Sequence, residues 1–208
     1  VLKLKKSPLP KISVITATWQ RHKELSRAIE SVSEQTFTDF EHIVVSDGPD
    51  PKLEELLQNQ NCKLISLGRN WRSFSGGLSP GASPRLVGTY IAAGEYIAYL
   101  DDDNVWLPNH LKILLEALRS NEADWVYSKM QVLGPTGIRE SVIGDGLPRQ
   151  AMVDTNMLIH KTELIKSVNW KTDYYEDDWQ LVETWMKQGR KFTWVNEITV
   201  NYYRRERE

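Results

Sequence analysis

The stretch EYIAYLDDDNVWLPNHLKILLEAL, Glu95–Leu118, decides the fold. After Glu95, Tyr96–Leu100 is an apolar and aromatic run with the length and composition of a buried strand. The run stops at Asp101, Asp102 and Asp103. A second pattern starts at Pro108, with Leu111, Leu114, Leu115 and Leu118 on one helical face. Capping alone does not explain the three carboxylates: the spacing starts the helix at Pro108 and puts Leu107 at the cap. A solvated acidic turn is a second reading. A third is chemical: adjacent like charges at the end of a buried strand raise one another's pKa unless something compensates. A divalent cation with oxygen ligands compensates well, and Mg²⁺ takes one or two carboxylates together with substrate phosphates.

Working toward the N-terminus, strand and helix patterns alternate. KISVITAT, Lys11–Thr18, is a β-branched run; Leu25, Ala28, Ile29 and Val32 then form one stripe of a helix from about His22 to Gln35. EHIVVSDG, Glu41–Gly48, is a second strand, Pro51 opens a helix with Leu53, Leu56 and Leu57 inward, and CKLISLG, Cys62–Gly68, is a third strand. Residues Arg69–Pro84, rich in Gly, Ser and Pro, read as a mobile loop, and a helix from about Pro84 to Ala93 leads back to Glu95. This alternation predicts an α/β fold with a mostly parallel central sheet flanked by helices, and ligands outside the carboxyl ends of its strands.

The second half is less regular. Asp124–Leu133 reads as a strand, PTG and GDGLP as turns, Thr155–Ile165 as a strand entering a short helix capped by Thr162, and Lys191–Tyr203 as extended chain. Glu176–Gln188 reads as a helix stopped at Gly189. There Asp178, Val182 and Trp185 share a face. Asp178 therefore projects into the cleft from the first turn, where the helix dipole favours a carboxylate and partial desolvation suits a general base. An acidic first turn that merely suits the dipole is the alternative.

The 208 residues suffice for one domain with a sizeable core, and the net charge of −2 gives no overall basic field for nucleic acid. The basic ends, KLKK and YYRRERE, read as solvated termini. A single cysteine, Cys62, excludes an intrachain disulfide and a cysteine-rich zinc site. No run nears the roughly 18–20 apolar residues that span a bilayer, and no signal peptide is visible. The expected location is cytoplasmic, or peripheral at the inner face of a membrane. Eight tryptophans are many for this length; most should be core, although indoles also line carbohydrate sites.

Four motifs in order resemble the inverting GT-A-type glycosyltransferases of family 2: ISVITATWQR, VVSDGPD, SPRLVGTYIAAGEYIAYLDDDN and EDDWQLVETW. The likeness runs from about Lys11 to Gly189. It implies one GT-A domain over residues 11–208, with a nucleotide-sugar half (11–120), an acceptor half (121–208) and an N-terminal extension (1–10). Thr16, Ala17, Thr18, Trp19 and Arg21 are then expected at the nucleotide, with Asp47 accepting from the base and Arg85 near the diphosphate. Asp101 supports the cluster, Asp102 sits near the ribose and Asp103 holds Mn²⁺ or Mg²⁺. Asp178 aligns best with the catalytic base, with Asp177 and Glu176 as competitors; Trp179 and Tyr175, and with them Trp170 and Tyr174, are candidates for the acceptor side. The implied reaction moves a sugar from a nucleoside-diphosphate sugar, with UDP as the expected nucleotide, to a hydroxyl of a glycan, lipid-linked or other acceptor, in a monomer or homodimer. Gln20 in place of Asn, Leu86 in place of Asn and Ser46 in place of Asp depart from the family pattern.

Two rivals accompany this reading. IAYLDDDNV also fits the strand-then-DxDxV pattern of haloacid-dehalogenase-type phosphatases, with Asp101 as nucleophile. A non-catalytic sugar-nucleotide or glycan-binding module of the same fold is the other.

Overall fold

A computed structural model describes residues 9–71, 81–170 and 177–204, the side chain of Asp177 excepted. In chain order the strands are β1 (Ile12–Thr18), β2 (Phe40–Ser46), β3 (Lys63–Ser66), β4 (Tyr96–Tyr99), β5 (Val105–Trp106), β6 (Trp125–Leu133), β7 (Arg139–Ile143), β8 (Leu158–Lys161) and β9 (Phe192–Tyr203). The helices are α1 (His22–Ser33), α2 (Pro51–Leu57), α3 (Ala82–Ile91), α4 (His110–Ser120) and α5 (Asp177–Lys187).

One sheet runs in the order β3-β2-β1-β4-β8-β6-β9-β5, with β7 paired to β6. The first four strands are mutually parallel, as the alternation predicts. Beyond β4 the sheet is mixed: β8 is antiparallel to both β4 and β6, whereas β9 runs parallel to β6. The parallel order therefore holds for the first half only. β1 lies between β2 and β4, so the chain leaves β1 to one side and returns on the other. That reversal opens a crevice at the carboxyl ends of β1, β2 and β4, the place where such sheets hold ligands.

Close packing sets this edge. An added Cβ on Gly88 would lie 2.5 Å from Ile15 Cγ2, so only glycine lets α3 lie this near β1. This accounts for a glycine three residues after Arg85. Gly94 likewise sits against the backbone of Ser13. Trp106, Trp125, Trp185 and Tyr99 are fully enclosed and carry much of the central core. α5 buries Val182 and Trp185, as expected, with Leu181 beside them. It ends as expected at Gly189 (φ +70°), where Gly189 N–H donates to Met186 and Arg190 N–H to Trp185.

Several sequence boundaries shift. α4 begins at His110, not Pro108, and its N-cap is Asn109, whose side chain makes no capping bond. The acceptor comes from afar: Gln35 Oε1 receives the Leu111 N–H at 3.0 Å. The three aspartates are thus even further from a capping role. α3 starts at Ala82, so the end of the expected loop is helical. Thr162 is the first residue of a short 3-10 turn rather than its cap, and its hydroxyl donates to the Gly94 carbonyl. β5 and β7 were not legible as strands: β5 has two residues, and β7 is exposed along nearly its whole length.

Candidate functional site

Each of the three aspartates after β4 faces a different set of partners. Asp102 is 3% exposed. Its Oδ2 accepts from the Thr18 hydroxyl at 2.8 Å, and its Oδ1 from Arg21 Nη1 at 2.8 Å. Burial pushes its carboxyl pKa up, against the pull of Arg21 and Thr18. The same Arg21 nitrogen stands 3.5 Å from Asp103 Oδ2. Asp101 turns the other way, toward Arg85 Nη2 at 2.5 Å and Asn156 Nδ2 at 2.9 Å. Burial would raise its pKa, but the Arg85 charge and the hydrogen bonds from Asn156 and Arg85 hold it below the usual range. Arg85 in turn stacks on Trp170, 5.1 Å from the ring centre.

At the end of β2, Asp47 is buried. Its Oδ1 accepts the Trp71 N–H at 2.9 Å, and Asn70 Nδ2 donates to its carbonyl at 2.9 Å. Its own N–H donates to Thr18 O, which ties the ends of β1 and β2 together. The Trp19 indole lies over Gly48, whose φ of +136° and missing Cβ leave room for the ring. Gln20 takes a left-handed conformation (φ +54°), one that asparagine adopts more readily, which gives the family's usual Asn a physical reason. Thr16 does not join this group. It is fully buried, and its hydroxyl lies 3.0 Å from His42 Nε2. Ala17 is half-buried.

Across the edge stands Asp178, in the first turn of α5, with Oδ1 accepting the Trp179 N–H at 2.7 Å. It lines a cavity of about 240 Å³ with Trp179, Asp154, Val153, Gln150, Ala151 and Ile143. Asp154 was missed from sequence. Its pKa is pushed up to about 7 by burial first, then by the charges of Asp101 and Asp178. Asn156, also missed, is fully buried and joins the two halves: Nδ2 donates to Asp101 Oδ2 and to Asp154 Oδ1, while Oδ1 accepts the Asp101 N–H. The signal was present in VDTNML, where Asp154 Oδ1 accepts the Asn156 N–H ahead of a 3-10 turn. In sequence such a pair reads as a local cap. Trp170 is buried edge-on against Tyr99, 5.0 Å between ring centres, so it packs instead of facing an acceptor. Tyr174, Tyr175, Glu176, Gly76 and Gly77 lie outside the described residues.

Among the described residues no three His, Cys, Asp or Glu side chains converge as a metal cage. The donor chemistry still fits a hard divalent cation held mainly by its ligand. Asp103 offers a carboxylate 17% exposed, beside the buried Asp102, and one carboxylate plus phosphate oxygens is an ordinary Mg²⁺ set.

The model of Glycosyl transferase family 2 matches residues 13–137, more than half the chain. The chain belongs to glycosyl transferase family 2. It is 35% identical over 127 residues to an uncharacterized glycosyltransferase of Methanocaldococcus jannaschii, covering 57% of this chain and 42% of that protein. It is 24% identical over 212 residues to the poly(ribitol-phosphate) β-N-acetylglucosaminyltransferase TarS of Staphylococcus aureus, covering 95% of this chain but 36% of TarS. The chain thus spans less than half of either relative. The crystal structure of TarS residues 1–349 with UDP-GlcNAc superposes with a TM-score of 0.74 at 23% identity, over 95% of this chain and 60% of that one. The fold is therefore the GT-A arrangement expected. The phosphatase reading fails: Asp101 follows the fourth strand of a family 2 domain, and Arg85 and Asn156 hold its carboxylate.

Proposed function

We propose that the chain is the catalytic domain of an inverting glycosyltransferase that moves a sugar from a UDP-sugar to a hydroxyl acceptor, in the synthesis of a surface glycan or glycoconjugate. One observation carries this reading: Thr18, Arg21, Asp47 and Asp101–Asp103 gather at the switch-point edge of the sheet, with Asp178 facing a cavity beside them. Trp19 and Asp47 form the nucleoside end and Asp102 faces the ribose. Arg21 and Arg85 supply positive charge near the diphosphate, each anchored by an aspartate. The acceptor oxygen attacks the anomeric carbon from the face opposite the diphosphate. That bond forms as the carbon–diphosphate bond breaks, and Asp178 takes the hydroxyl proton. Holding both substrates in line supplies much of the acceleration. Mn²⁺ or Mg²⁺, held by Asp103 and the donor's own oxygens, would neutralise charge on the leaving diphosphate. TarS, by its structure with UDP-GlcNAc, supports uridine, and the names of TarS and the Escherichia coli glucosyltransferase WfgD, whose acceptors are a poly(ribitol-phosphate) and a diphosphoundecaprenol-linked sugar, support a glycoconjugate acceptor.

Calorimetry of UDP with Mn²⁺ tests the reading. Wild type should bind with metal-dependent affinity, and Asp103→Ala should lose the metal dependence while keeping its thermal transition. Unchanged binding in the variant removes Asp103 as the ligand. In turnover of a panel of UDP-sugars, Asp178→Asn should fall by about 10²–10⁴-fold, the usual worth of a general base. Full activity in that variant transfers the role to Asp177 or Glu176.

A further inference from the structure

The cavity at the start of α5 holds two carboxyl groups, and the reaction needs one. Asp178 is the base; Asp154 has no part in the chemistry above. Yet Asp154 is held more tightly than a bystander. Its Oδ1 receives two hydrogen bonds from Asn156, from the backbone N–H at 2.9 Å and the side-chain amide at 2.6 Å. Asn156 is itself pinned: Trp106 Nε1 donates to its carbonyl at 2.8 Å, and its amide oxygen receives the Asp101 N–H at 2.6 Å. The other oxygen of Asp154, Oδ2, makes no hydrogen bond among the described residues, and Asp154 lines the cavity. The wall continues through Ala151, a non-glycine residue held at φ +62°, strain of a kind that gathers at ligand sites.

We propose that Asp154 is a second acceptor-binding carboxyl, which with Asp178 grips a pair of hydroxyl groups on a polyol or sugar acceptor. The inference rests on the glycosyltransferase reading above and names the acceptor class for it. The cavity holds the volume of roughly eight waters at about 30 Å³ each, enough for a small polyol or one sugar ring. The reacting hydroxyl meets Asp178 and its neighbour meets Asp154. A carboxyl with a pKa of about 7 both donates and accepts at neutral pH, which suits a hydroxyl that keeps its proton. A mono-alcohol leaves one of the two groups without a partner, and sites built this way discriminate strongly against the analogue lacking the hydroxyl. Through Asn156, the acid that meets the acceptor and the aspartate that anchors Arg85 share one rigid amide.

Indole N–H resonances separate this proposal from its parent. Trp179 borders the cavity and Trp19 the nucleoside end; Trp→Phe variants assign both signals. UDP with Mn²⁺ should shift the Trp19 signal, and ribitol or glycerol should shift that of Trp179, whereas propan-1-ol should not. In Asp154→Asn the UDP response should persist while polyol affinity falls tenfold or more. No UDP response in wild type overturns the parent reading. A UDP response with no polyol response at Trp179, or polyol affinity within twofold of wild type in Asp154→Asn, overturns the role of Asp154. So does an equal response to propan-1-ol. Loss of both responses together in Asp154→Asn makes the residue structural and also overturns the proposal.

Discussion

Lowering the pH from 7 to 5 should destabilise the folded chain by about 3 kcal/mol, and the figure follows from three buried histidines and Asp154. His42, His110 and His160 are completely enclosed, and burial depresses their pKa values to about 4, about 3 and about 4. Their unfolded values lie near 6.5. Between those limits the unfolded chain binds protons that the folded chain refuses, so stability falls as the solution is acidified. From pH 7 to 5 each histidine costs about 2 kcal/mol, and the three together about 5–6 kcal/mol. Asp154 works the other way. Its folded pKa of about 7 lies above the unfolded value, so its contribution is lost as pH rises through 7 and recovered on acidification, about 2 kcal/mol over the same interval. Asp102, also raised, adds in that direction. Carboxylates held low, such as Glu41 and Asp124, lose their contribution only as pH falls through and below about 4 to 5. Against a typical total of about 5–15 kcal/mol, the net fall is large enough to measure. Urea unfolding at pH 7 and pH 5 gives it directly. In Asp154→Asn the compensating gain disappears, and the fall should widen to about 5–6 kcal/mol. A wild type as stable at pH 5 as at pH 7, or an Asp154→Asn variant with the wild-type pH dependence, would refute the protonation states assigned to this core.

Three further outcomes follow from local geometry. Glu122 sits just past α4 at φ +49°, with Ala123 N–H donating to Leu118 and Glu122 N–H to Arg119, so Glu122→Gly should raise stability in urea by about 1 kcal/mol. Gly88→Ala should cost about 1–3 kcal/mol by the same assay, because its methyl would meet Ile15; a neutral result would mean α3 can move off β1. Asn156→Ala should lower stability by about 2–4 kcal/mol and weaken UDP binding as well, since it strips partners from Asp101 and Asp154; intact UDP affinity would show that the donor side does not depend on this clamp.

The strand–helix alternation of the first 120 residues was legible because a strand buried on both faces writes its apolar run directly into the chain, as in ISVITAT. The helical stripes were legible for the same reason, Val182 and Trp185 among them. The mixed second half was not: β5 and β7 are too short or too exposed to carry a pattern, and the parallel pairing of β9 with β6 joins residues far apart in the chain. The partners of the site lay beyond reach for a similar reason. Thr18 meets Asp102 across 84 residues, and Asn156 meets Asp101 across 55.

DDD therefore marked a charged strand end, and its likeness to a family added the expectation of a nucleotide there. Local spacing determines the strand end alone, because burial and periodicity are properties of neighbouring residues. Which aspartate faces which partner was decided only by the tertiary structure. Successive residues of the triplet turn toward different partners, so Asp101 meets Arg85 and Asn156, Asp102 meets Thr18 and Arg21, and Asp103 lies 3.5 Å from the same Arg21. The pairing of Asp154 with Asp178 has the same origin: the charge of Asp178 raises the pKa of an acid distant in sequence only once the fold brings both to one cavity.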